Sequence, residues 1–133
     1  MASIREEFTV DATPDAVWSA LRDYGAVHTR LAVGFVVDCT MEEGDVRVIT
    51  FGNGMVVREP IISVDSERFR LAWGAEGGPL THYNAGLELF AERGGTRVVW
   101  TSDLLPHAMA EQVAGMQEQG LSVMKKTLEQ ARR

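Results

Sequence analysis

Glu59, Arg47 and Tyr83 are the side chains of this chain best suited to moving a proton or holding an oxyanion, and each lies in a strand-patterned, apolar segment. Alternation through Val57, Glu59 and Ile61 places Glu59 on an inward face. A carboxyl group in an apolar cavity has a raised pKa and serves as an acid or a base. The competing readings are that Pro60 makes a bulge that turns Glu59 outward, or that Glu59 pairs with Arg47. The fork of donors on Arg47 suits a ligand carboxylate or enolate oxygen. Its face is ambiguous, because Val46 and Val48 alternate with Arg47 and Ile49, and a solvated arginine or a structural partner for Glu59 is the favoured reading. Tyr83 and Trp100 fall on the inward faces of neighbouring strands. There they can stack on a planar ligand, with the Tyr83 hydroxyl donating to a ligand oxygen, or they can simply fill core. Ser102 shares the face of Trp100 and offers a second hydroxyl donor. It is a poor nucleophile, since no base is evident beside it. Trp73 shares a face with Phe69 and Leu71, alternating with Arg68, Arg70 and Ala72, and is expected to border the same space, whereas Trp18 joins Val17 and Leu21 on a helical stripe and is expected to pack structurally.

Other chemistries find less support. His28, His82 and His107 are not at metal-ligand spacing with one another or with Cys39, so no metal site is expected. Gly74, Gly77 and Gly78 lack the following lysine and the strand-to-helix context of a phosphate loop, and no cofactor is expected. Cys39 is the only cysteine, which leaves no intrachain disulfide, and it reads as a small buried residue. A formal net charge of -6 repels nucleic-acid phosphates. No apolar run approaches the ~20 residues of a membrane span. The opening MASIREEF carries charges where a signal peptide needs an apolar stretch, so a cytoplasmic protein is expected. The 133 residues suit one domain over 1–133, monomeric or homodimeric.

These side chains need a scaffold, and the pattern supplies one. Ile4 to Val10 reads as a strand. Thr13 is a helix N-cap with Pro14 in the first turn, and the helix runs to about Tyr24. Ala26 to Leu31 suits a second short helix. Strands follow over Gly34 to Met41, Val46 to Phe51 and Met55 to Val64, with Gly52-Asn53-Gly54 as a hairpin turn. Pro60 suggests that the last of these is an edge strand or bulged. Phe69 to Trp73 alternates again. Tyr83, Ala85, Leu87 and Leu89, then Val98, Trp100 and Ser102 across Gly94-Gly95, predict an antiparallel hairpin with one buried face. From His107 to Arg132 the residues Met109, Val113, Met116, Gly120, Leu121, Met124 and Leu128 share one helical face. The result is an α+β domain with its helices on one face of an antiparallel sheet.

Four segments carry a resemblance to the SRPBCC superfamily, the helix-grip fold of START domains, birch-pollen-allergen-like proteins and aromatic polyketide cyclases. FTVDATPDAVWSALRDYGAVH resembles its strand, Pro-initiated helix and short second helix. GDVRVITFGNGMVVREPIISVD resembles its Gly-x-x-Arg strand, glycine turn and Val-x-Glu strand. HYNAGLEL with GTRVVWTSDL looks like its late hairpin with a tryptophan, and the long helix completes the order. The resemblance implies a seven-stranded curved antiparallel sheet wrapped around the C-terminal helix, with two short helices after the first strand and an apolar cavity between sheet and helix. Arg47 matches the strand arginine. Where many bacterial relatives carry a tryptophan in the short second helix, this chain reads His28-Thr29-Arg30.

Two functions follow as expectations. One is binding of a small hydrophobic molecule, aromatic, polyketide-like or lipid-like, lined by Trp73, Tyr83, Trp100, Ser102, Met109, Val113, Met116 and Gly120. The alternative is a polyketide cyclase or dehydratase in which Glu59, Arg47 and Tyr83 act on a chain folded by the pocket. Gly120, costly in a helix by about 1 kcal/mol relative to alanine, either lets the sheet approach or leaves room for the ligand.

Overall fold

The computed structural model describes residues 1–131. Strand β1 (Ala2–Val10) runs into helix α1 (Pro14–Arg22), whose start is fixed by Thr13, its hydroxyl accepting from the Ala16 amide at 3.2 Å. A 3-10 turn (Tyr24–Ala26) and the one-turn helix α2 (Val27–Arg30) follow. Then come β2 (Val36–Glu42), β3 (Val46–Phe51), β4 (Val56–Asp65), β5 (Arg70–Gly74), β6 (His82–Glu92) and β7 (Gly95–Leu105). Helix α3 (Ala110–Ala131) ends the described chain, so the expected end at Arg132 lies outside the described residues.

The strands form one curved antiparallel sheet in the order β1-β7-β6-β5-β4-β3-β2. Helix α3 packs chiefly on β1, α1 on the β6–β7 hairpin and α2 on β2. The alternation expected of the hairpin holds: Tyr83 pairs with Leu104, Ala85 with Ser102 and Leu87 with Trp100, and all six are buried. Gly94 takes a φ of 83° at the tip, which a side chain would strain. No helix among the described residues is long and apolar enough to cross a membrane.

One open alternative is decided and two local expectations need correction. Of the two readings of Pro60, the bulge holds and the edge does not: β4 lies between β3 and β5. Proline is tolerated because the pairing with β5 begins only at Ile61 and shifts register between Ile61 and Ser63, so no regular ladder bond is missing there. Phe69 does not belong to β5. It adopts a φ of 53° in the preceding turn, and its ring meets Trp18 at 5.6 Å. Cys39 is half-buried rather than buried, on the edge strand β2.

Candidate functional site

Between the sheet and α3 lies a cavity of about 190 Å³. Cross-strand pairing sets its polar wall. Arg47 on β3 is directly opposite Glu59 on β4, and both side chains point inward, 5% and 6% exposed. This settles the ambiguous face of Arg47 and places Glu59 where alternation put it. Arg47 Nε donates to Glu59 Oε1 at 2.8 Å, and Nη1 donates to the Tyr24 carbonyl at 3.2 Å. The guanidinium stacks 3.7 Å above the Tyr24 ring and stands 5.6 Å from that of Trp73. The Tyr24 hydroxyl donates to the Glu59 carbonyl at 3.0 Å, which ties the 3-10 turn to β4. Burial pushes the Glu59 carboxyl above its ordinary pKa, opposed by the charge and hydrogen bond of Arg47.

A second polar cluster centres on Gln117 of α3. Its Oε1 accepts from the Tyr83 hydroxyl at 2.9 Å and from the Ser102 hydroxyl at 2.5 Å. Its Nε2 donates to Glu6 on β1 at 3.4 Å. That orientation of the amide is the one that gives the acceptor-only carboxylate a donor. Burial, and next the Glu59 charge, raise the Tyr83 pKa, so its hydroxyl stays protonated. Burial likewise raises Glu6, against the pull of its bond from Gln117.

Of the residues expected to line the cavity, Trp73, Tyr83, Trp100, Met109, Val113 and Met116 do so, together with Arg47 and Glu59. Ser102 and Gly120 do not. Ser102 is buried behind the wall, held to Gln117. A Cβ on Gly120 would meet the Phe35 ring at 3.1 Å and Trp100 at 3.3 Å, so the missing side chain admits aromatic rings rather than a ligand. Trp18 stands apart from the cavity, against Phe69. His28 is on α2 and does not line the cavity.

Sequence reasoning missed Gln117, Tyr24 and Glu6. Gln117 left a signal: it follows Val113 by four residues and precedes Leu121 by four, a polar residue on the inward stripe. Tyr24 was read only as the end of the first helix.

Residues 1–129 match the family described as polyketide cyclase / dehydrase and lipid transport. The chain belongs to that family. The SRPBCC resemblance is thereby borne out. Among solved structures, this family member is similar to the Zhui aromatase/cyclase of a Streptomyces species, at 17% identity and a TM-score of 0.83 over 99% of this chain and 96% of that one. XoxI from Bacillus cereus gives 15% identity and 0.84, covering 100% and 99% of the two chains. Ara h 8.0201 gives 16% and 0.76, covering 96% and 97%. At these identities the likeness shows the fold alone. No curated protein sequence matches the chain. Among the described residues, no group of His, Cys, Asp and Glu is placed to hold a metal ion.

Proposed function

We propose that this protein binds one small hydrophobic molecule between the sheet and α3, as a cytoplasmic domain spanning 1–133. The cavity carries this reading: it is preformed and mostly apolar, with a few convergent polar groups, the usual make-up of a ligand site. Its size narrows the guest. An apolar cavity of about 150 Å³ takes a benzene-sized molecule, so 190 Å³ suits a single ring with a short substituent, or a comparable aliphatic chain. The family description, which includes lipid transport, supports the same reading.

The enzyme reading has one observation in its favour, the inward Glu59 with its raised pKa on the cavity wall. Against it, the carboxylate is engaged by Arg47, and a base must first be released from that bond. Binding is the better-supported function. The test is heavy-atom quenching of tryptophan fluorescence by bromobenzene. Saturable quenching is expected in the wild type and in Trp18→Phe, and most of it should vanish when Trp73 and Trp100 are both phenylalanine. Quenching that never saturates, or that survives the double substitution, rules out the cavity as the binding site.

A further inference from the structure

A guanidinium and a carboxylate frequently meet through two parallel hydrogen bonds. The pair on the cavity wall makes one. Arg47 Nε donates to Glu59 Oε1 at 2.8 Å, and Nη1 is turned to the Tyr24 carbonyl at 3.2 Å. The second bond of the fork, from Arg47 Nη2 to Glu59 Oε2, is not formed. Among the described residues, the side-chain N and O atoms sealed off without a partner are Trp18 Nε1, His28 Nδ1 and Trp100 Nε1. Arg47 Nη2 and Glu59 Oε2 are not among them, so both atoms keep accessible surface. The two side chains are 7% and 8% exposed, and both line the cavity. The open half of the pair thus sets a donor beside an acceptor on a wall otherwise formed by Ile49, Val57, Leu71 and Trp73. Trp73 acts on the same carboxylate as a donor and favours its charged form. The two oxygens of a carboxylate offer about four acceptor sites, so Trp73 and Arg47 leave capacity for one more donor.

We infer that the hydrophobic guest carries a neutral hydroxyl group, which accepts a hydrogen bond from Arg47 Nη2 and donates one to Glu59 Oε2. The inference rests on the ligand-binding reading above and adds to it the polar group that the ligand must bear. The exchange breaks no bond of the protein: the Nε–Oε1 bond and the tie to Tyr24 both stay, and the hydroxyl takes the place of the missing half of the fork. The guest is neutral because the pair is already neutral. A carboxylate or an ammonium group would leave one unbalanced charge in an apolar cavity, which is costly. An ether or a ketone accepts from Arg47 but covers the Glu59 oxygen without giving it a donor, and an acceptor buried in that way also costs free energy. A hydroxyl accepts and donates through one atom, which suits a single missing bond.

The experiment uses four probes built on one ring: benzyl alcohol, which accepts and donates; anisole, which only accepts; ethylbenzene, which does neither; and benzoate, an anion. Calorimetry gives their affinities for the wild type and for Arg47→Met combined with Glu59→Leu, which replaces the pair by apolar side chains. Benzyl alcohol should lose about tenfold relative to ethylbenzene in the double variant, the worth of one net hydrogen bond to a charged group. Anisole should lose less, and benzoate should bind the wild type more weakly than benzyl alcohol does. The Arg47 Nη2 protons, followed by NMR in the wild type, give a readout that does not depend on the variant folding. They should move downfield with benzyl alcohol and not with ethylbenzene. An unchanged ratio of benzyl alcohol to ethylbenzene in the double variant, or equal Arg47 shifts with the two, overturns the inference and leaves the hydrophobic cavity standing. An equal loss for anisole, or tighter binding of benzoate, overturns it as well. If none of the four binds, the ligand-binding reading fails and the inference fails with it.

Discussion

Replacing Arg47 by methionine removes a buried guanidinium and leaves Glu59, 6% exposed, without a counter-ion. Three interactions go at once: the 2.8 Å ion pair, the 3.2 Å bond to the Tyr24 carbonyl and the stacking on the Tyr24 ring. Breaking one side of a buried ion pair costs about 3–5 kcal/mol. That is a large part of the ~5–15 kcal/mol that holds a typical domain folded. The cost depends on pH, because an orphaned Glu59 can escape by taking a proton. Burial already raises its pKa, and removing Arg47 removes the main force pulling it down. A carboxyl raised in the folded state contributes stability that is present below its unfolded pKa and is lost as pH rises through the folded value. The damage in Arg47→Met is therefore smallest near pH 4 and grows toward pH 8. Combining Arg47→Met with Glu59→Leu removes both charges and keeps apolar volume, and should restore stability to within about 1 kcal/mol of the wild type at pH 8. Urea unfolding at pH 4, 6 and 8, followed by tryptophan fluorescence, measures all three proteins. A double variant as unstable as the single one would show that Arg47 acts through packing on Tyr24. A loss below about 1 kcal/mol, or one independent of pH, would refute the buried-pair account outright.

The same linkage applies to Glu59 in the intact protein: above about pH 4.5, the ordinary value for its carboxyl, the wild type should lose stability relative to Glu59→Gln. Urea midpoints that diverge in the opposite direction would mean that Arg47 outweighs burial and lowers the Glu59 pKa. In α3, Gly115→Ala should stabilise by about 1 kcal/mol from helix propensity, since nothing stands within 4 Å of its added methyl group. Gly120→Ala should show no such gain, because its methyl group meets the Phe35 and Trp100 rings, and equal gains at the two sites in thermal unfolding would disprove that crowding.

Much of the scaffold was legible because its signals are local. Thr13-Pro14 marks a helix start, and Gly94-Gly95 between two alternating runs marks a hairpin whose inward face is then fixed by parity. Arg47 was not legible in this way. Apolar residues occupy both faces of β3, and only its pairing with Glu59 across the β3–β4 ladder decides which face is inside. Pro60 left edge and bulge open, and only the strand order, set by contacts far apart in sequence, decides for the bulge. Gln117 was passed over in favour of Met116. Its importance lies in Tyr83 and Ser102, 34 and 15 residues away, and the helical stripe alone does not announce them. The role of Gly120 depended on Phe35, which comes from the segment before β2.

The cavity has walls of unequal stiffness. Met116 and Met124 from α3, Met109 from the turn just before it and Met55 from the β3–β4 connection are unbranched side chains that can change rotamer. The strands opposite carry Trp73, Tyr83 and Trp100, held by sheet register, by a Trp73–Trp100 ring contact at 5.8 Å and by the Gln117 cluster. If the cavity binds a guest as proposed, walls of this kind would tolerate a small change in the outline of its tail better than a functional group moved by one atom, and would select within the size limit by where the guest is anchored.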